Sequence, residues 1–255
     1  MGMVRSRLGR SARTVAAALL AVGTAGSGAV LAATPANADC SFGAGDLVVY
    51  RVGNGSGSLA NTGNPVFLDE YQTDGTFVQS IPMPTTASGS NQPLVASGTA
   101  TSEGLLTLSP DGQHLAATGY DSTIPYGSSL VGTASTVVPR TVGLVDTSCN
   151  VDTSTALTDW ASGNNPRSAV TTDGNAIWVS GAAGGARSTT KGATVSTQLS
   201  TTVTNLRQIN VFNDATNAPQ LFVSDSSGSA VRIGSVGSGN TRCSGFGARS
   251  GSSKS

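Results

Sequence analysis

The chain has 255 residues, with 14 basic and 14 acidic side chains, one histidine and 5% aromatic residues. Setting aside residues 1–38, which hold four arginines and no acid, leaves a balance of −4. That balance excludes the basic footprint nucleic-acid binding requires, so no nucleic-acid partner is expected.

Arg5, Arg7, Arg10 and Arg13 precede the apolar run Thr14–Val22, and Ala36-Asn37-Ala38 follows. This is the three-part pattern of a secretory signal peptide, and cleavage is predicted after Ala38. Gly23, Gly26, Gly28 and Pro35 make the stretch a poor membrane anchor. No later segment is apolar enough to span a bilayer, so the mature protein is expected to be secreted, extracellular or at the cell surface.

Beyond the signal peptide the pattern is that of strands. Asp46–Val52 is β-branched and apolar, bounded by Gly45 and the flexible run Gly53–Ser58. Val66–Tyr71 and Phe77–Ile81 flank the turn Thr73-Asp74-Gly75-Thr76, and Leu105–Ser109 and His114–Gly119 flank Pro110-Asp111-Gly112. Each pair reads as a hairpin. Thr141–Asp146 and Ser154–Leu157 form a further pair around a polar turn at Cys149. Ala169–Thr171 and Ala176–Ser180 flank Asp173-Gly174. Ile209–Phe212, Gln220–Ser224 and Ala230–Val236 complete the set. No helical period follows residue 33.

Three segments enter their first strands alike: Ser102-Glu103-Gly104-Leu105, Pro166-Arg167-Ser168-Ala169 and Leu206-Arg207-Gln208-Ile209. Glu103 and Arg167 are 64 residues apart, and Arg167 and Arg207 are 40 apart. The second interval matches one four-stranded blade, roughly 40–45 residues. The first is stretched by Ser122–Pro139, which is rich in Ser, Thr, Gly and Pro and reads as a surface loop. The predicted fold is all-β, a β-propeller of four-stranded antiparallel blades, with about three to four blades in residues 39–239 and hence an incomplete ring. Residues 240–255 carry three basic side chains and no acid, and read as a disordered tail. The break in composition at Asn240 points to a truncated product lacking further blades, which need not be functional. Assembly of several copies into one ring is the other reading.

The Ser109-Pro110-Asp111-Gly112 turn resembles the inter-strand turn of bacterial propeller repeats of the TolB, lactonase-like and surface-layer types. The run Gly45–Gly53, with Pro65–Tyr71 and Ser102-Glu103-Gly104, is similar to a group of secreted bacterial propeller proteins. The resemblance covers most of residues 39–239 and is architectural: it implies a propeller scaffold, which hosts binding proteins and enzymes alike.

Chemistry-bearing motifs are few. His114 stands beside a turn without an evident nucleophile or orienting partner, and is read as a solvated residue. No Gly-x-Ser-x-Gly elbow is present. Asp69 and Glu70 are adjacent on a strand and point to opposite faces. Asp146, Asn150 and Asp152 lack the spacing of an EF-hand loop, and no cysteine spacing marks a zinc site. Neither metal nor cofactor is expected. Cys40 and Cys149 are candidates for a disulfide, the alternative being free thiols.

The candidate binding residues are Glu103, Arg167 and Arg207, because equivalent positions of successive blades would converge on the central opening. There they would hold an anionic or sugar-like ligand, or else make ordinary contacts between blades. The expectation is a secreted binding or interaction module for a small-molecule, glycan or protein ligand. The alternative is a lactonase-like hydrolase or lyase with a channel-centred site.

Overall fold

The computed structural model describes residues 40–213, 219–225, 233–237 and 246–247. The predicted signal peptide lies outside them, as does the predicted tail apart from Phe246–Gly247. The described residues form strands and loops without a helix, and hence no helix long and apolar enough to cross a membrane.

The strands fall into consecutive antiparallel groups, none closed on itself. The first joins β1 (Leu47–Val52), β2 (Asn64–Tyr71) and β3 (Phe77–Pro82), with β2 in the middle. The second runs β5 (Thr107–Leu108), β6 (His114–Tyr120), β7 (Arg140–Asp146) and β8 (Val151–Leu157). A two-residue strand, β4 (Val95–Ala96), pairs with the start of β2 and with Tyr120, joining the two groups along one edge. The third sheet is β9 (Pro166–Thr171), β10 (Ala176–Gly181), β11 (Arg187–Thr190) and β12 (Thr197–Gln198). The fourth is β13 (Leu206–Asn213), β14 (Pro219–Asp225), β15 (Ile233–Val236) and β16 (Phe246–Gly247).

Turn chemistry sets these registers. Gly112 sits at φ +71°, which only glycine adopts without strain. Asp111 Oδ1 accepts from Ser109 Oγ at 2.5 Å and from the Gln113 amide at 3.0 Å, closing the β5–β6 turn. Gly174 at φ +74° serves β9–β10, with Asp173 Oδ1 accepting from the Asn175 and Ala176 amides.

Each group buries one face against the next. Val66, Leu68, Ile81 and Leu94 meet Val145 between the first and second. Ala116, Val142 and Leu144 meet Ile177 and Val179 between the second and third, with Trp160 wholly buried among them. Val170 and Trp178 meet Ile209, Leu221 and Val223 between the third and fourth. Alternation along the strands produces this stacking, since one face of each pleat is apolar. At the outer faces of the stack Leu47, Val49 and Phe77 are exposed at one end, and Phe212 and Ile233 at the other.

The segments that open the second, third and fourth groups lie side by side. Leu105 bridges Ser168 in parallel, and Thr107 Oγ1 donates to the Ala169 carbonyl at 2.6 Å. Ser168 Oγ in turn accepts from the Ile209 amide at 3.3 Å. Small side chains at 168 and 169 allow this approach.

Two features depart from the sequence reading. The 122–139 segment is free of strands as expected, yet it buries Leu130 and Val138 against Tyr120 and Val95. And β11 and β12 fill a stretch in which no strand is legible, because Arg187-Ser188-Thr189-Thr190 has no apolar alternation.

Candidate ligand-binding site

Of the three strand-start residues, Arg167 lies within electrostatic reach of both Glu103 and Arg207. Arg167 is 5% exposed. Its Nη1 donates to Asn205 Oδ1 and to the Leu206 carbonyl, both at 2.6 Å, and its Nε donates to Ser102 Oγ at 3.2 Å. One guanidinium thus ties the starts of three sheets. Burial, reinforced by the like charge of Arg207, pushes its pKa down to about 10. Glu103 accepts from Tyr120 Oη at 2.5 Å, Asn165 Nδ2 at 2.7 Å and the Ser97 amide at 3.1 Å. Burial nevertheless holds its carboxyl above the ordinary value, outweighing these donors. The carbonyl of Arg207 accepts from Ser180 Oγ at 3.0 Å. Glu103 and Arg167 therefore spend polar atoms on neighbouring strands and loops.

A residue that sequence reading passed over anchors the same region. Arg140, wholly buried at the start of β7, donates to the carbonyls of Thr133, Val138, Ala161 and Asn164 and to Thr133 Oγ1, at 2.5–3.3 Å. Its guanidinium carbon lies 4.8 Å from the centre of the Tyr120 ring. Burial lowers its pKa. Among the described residues no carboxylate makes an ion pair with it, Glu103 acting only through its charge, and backbone carbonyls satisfy it instead.

A cavity lies elsewhere, between the amino-terminal segment with β1 and the β5–β6 hairpin. Its volume is about 540 Å³. Phe42, Leu47, Leu106, Leu108, Leu115 and Val145 supply apolar walls. Asp46, Asp146, His114 and Thr107 supply polar ones, and no lysine or arginine lines it.

The amino-terminal wall is tied down at several points. Cys40 is bonded to Cys149. The Phe42 amide donates to the Thr147 carbonyl at 3.2 Å, and the Gly43 amide to Glu70 Oε1 at 2.5 Å. Glu70 is fully buried and also accepts from Gln79 Nε2 at 2.6 Å. A Cβ on Gly43 would press against the Asp46 carboxylate and displace it. Burial, and then the neighbouring charge of Glu70, raises the Asp46 carboxyl. Asp69, on the other face of β2, pairs with Arg51 and accepts from Ser80 Oγ at 2.6 Å. Although burial opposes it, these partners hold the Asp69 carboxyl below its ordinary value.

His114 is half-buried rather than solvated and stands in the cavity wall. Its Nδ1 is buried without a hydrogen-bond partner, and a Cβ added to Gly174 would lie 2.5 Å from its Nε2. Asp146 accepts from the Ser148 and Asn150 amides, both at 2.9 Å, and from Asn150 Nδ2 at 2.8 Å, which closes the β7–β8 turn. Asp152 accepts from Ser154 and lies 3.6 Å from Lys191 Nζ. Among the described residues no group of three His, Cys, Asp or Glu side chains is placed to hold a metal ion.

The cavity joins residues 42–48 to 106–115 and 145–147, and no spacing in the sequence announces that meeting. The one signal within reach is the Cys40–Cys149 pair, which fastens the amino-terminal segment beside the β7–β8 turn. No protein-family model matches the chain, and no curated protein matches its sequence.

Proposed function

We propose that the protein is a secreted binding module built from β-propeller blades, whose ligand enters the cleft between the amino-terminal segment and the β5–β6 hairpin. Export is supported by the arginine-rich, apolar and Ala-x-Ala order of the first 38 residues. A disulfide that closes a long loop suits an oxidising compartment. The propeller reading rests on consecutive antiparallel meanders stacked face to face, with the starts of successive groups adjoining. The exposed outer faces of the first and fourth sheets fit an open or partial ring.

The single observation that carries the ligand reading is the cleft itself. It combines apolar walls with two carboxylates and no facing cation, and its volume falls in the range of small-molecule sites, roughly 300–1,000 Å³. The chemistry it suits is an apolar body bearing an amine. Glu103 and Arg167 serve in this reading as ties between sheets.

The test uses the neutral dye N-phenyl-1-naphthylamine, displaced by dodecylamine or by decanoate. Saturable dye fluorescence is expected, with the amine competing about tenfold better than the carboxylate. Leu106→Trp, which fills the cleft, should abolish the signal. Absence of saturable binding, or binding that survives Leu106→Trp, refutes this placement of the ligand.

A further inference from the structure

A second cleft, of about 390 Å³, opens at the other end of β6 between the 85–93 segment and the 121–138 loop. Asp121, the residue after β6, lines it. Its backbone amide donates to the Pro139 carbonyl at 2.9 Å. Its carboxylate, half-buried, accepts no hydrogen bond and meets no cation among the described residues. Every other carboxylate described above has a donor or sits beside a second acid. Carboxylates withdrawn from water ordinarily find partners, so Asp121 stands out as an acceptor held ready.

Its surroundings narrow the chemistry. Thr85, Thr86, Thr123 and Tyr126 line the same cleft with hydroxyl-bearing side chains, and the buried Ser122 hydroxyl already donates to the Thr123 carbonyl at 3.1 Å. Each both donates and accepts. The exposed Val137, beside Pro93, provides a short apolar strip, and Tyr126 adds an aromatic ring. No lysine, arginine or second acid lines the cleft, so neither an anion nor a multivalent cation is provided for. One strong acceptor, several hydroxyls and a short apolar strip complement a ring that carries adjacent hydroxyls on its edge and C–H groups on its face.

The walls are also fixed in advance. The Tyr126 amide donates to the Thr62 carbonyl at 2.7 Å, the Leu130 amide to the Asn61 carbonyl at 3.0 Å, and Arg140 grips Thr133 and Val138. A pre-formed cleft spares a ligand the cost of ordering the loop.

We propose that this cleft is a binding site for a neutral sugar, with the Asp121 carboxylate accepting from a pair of ligand hydroxyls. The site is independent of the apolar cleft, and either assignment can fail without the other.

The experiment presents the intact protein to an immobilised panel of neutral gluco-, galacto- and manno-configured oligosaccharides. The strongest binder is then titrated calorimetrically, with putrescine as the cationic comparison. Saturable sugar binding is expected, weakened about tenfold or more in Asp121→Ala and clearly reduced in Thr86→Val. Asp74→Asn, in the exposed β2–β3 turn, should bind as the unaltered chain does. Binding should also weaken on acidification, with a midpoint above the ordinary aspartate value, because protonation removes the acceptor. No sugar binding, a preference for putrescine, or undiminished binding by a folded Asp121→Ala would overturn the proposal. If Asp121→Ala fails to fold, the exposed Thr86→Val substitution decides between the outcomes.

Discussion

Glu103 shows how one carboxylate shapes the stability of the stack. Its folded-state pKa lies above the ordinary value of 4.5. The stability it contributes is therefore complete below that value and is lost as pH rises through the folded value. Asp69, Asp111 and Asp146 are depressed below 3.8, and their contributions are lost as pH falls through their lowered values. Glu103→Gln should flatten only the limb above pH 4.5 and leave the acid limb intact, as measured by melting temperature from pH 3 to 8. It should also cost about 1 kcal/mol at pH 7, because an amide cannot accept from all three donors at once. Spacing makes Glu103, Arg167 and Arg207 legible as equivalents. It does not make their partners legible, since Ser97, Tyr120, Asn165 and Asn205 come from four separate segments.

Among elements, the 122–139 loop depends most on a single side chain. Arg140→Met keeps the bulk of the side chain, takes the donor from the Val138 carbonyl, and leaves the carbonyls of Thr133 and Ala161 with the Gly163 and Asn164 amides alone. A loss of about 3 kcal/mol or more is expected, placing the substitution in the severe class. Hydrogen exchange should quicken first across residues 122–139, before the strands on either side. The strands with apolar alternation and Asp-Gly turns were readable from sequence because local chemistry dictates them: β1, β2, β3, β6, β7, β10 and β14 are of this kind. The burial of the loop was not, because Leu130 and Val138 stand among Ser, Gly and Thr without a period. Strands β4, β11 and β12 escaped for a related reason: partners elsewhere in the chain, rather than their own residues, make them strands.

At the scale of the whole molecule, the Cys40–Cys149 bridge fastens the amino-terminal wall of the apolar cleft to the second group of strands. It closes a loop with a sequence separation of 109. Removing such a constraint costs about 4–5 kcal/mol in the chain-entropy account. Cys149→Ser should lower the denaturation midpoint accordingly and weaken dye binding in the apolar cleft, while sugar binding at Asp121 persists if the second group remains folded. Persistence of full dye affinity in that variant would show that the wall is held without the bridge.

The same bridge gives the chain an unusual mechanical profile. Pulled between its ends, the protein would release strands from β8 onward, whereas residues 41–148 stay locked inside a covalent loop. Roughly 350 Å of extended chain would stay hidden from the force trace, appearing only after a reducing agent is added. On a surface exposed to shear, the half of the fold that carries both clefts would be the half that cannot be stretched.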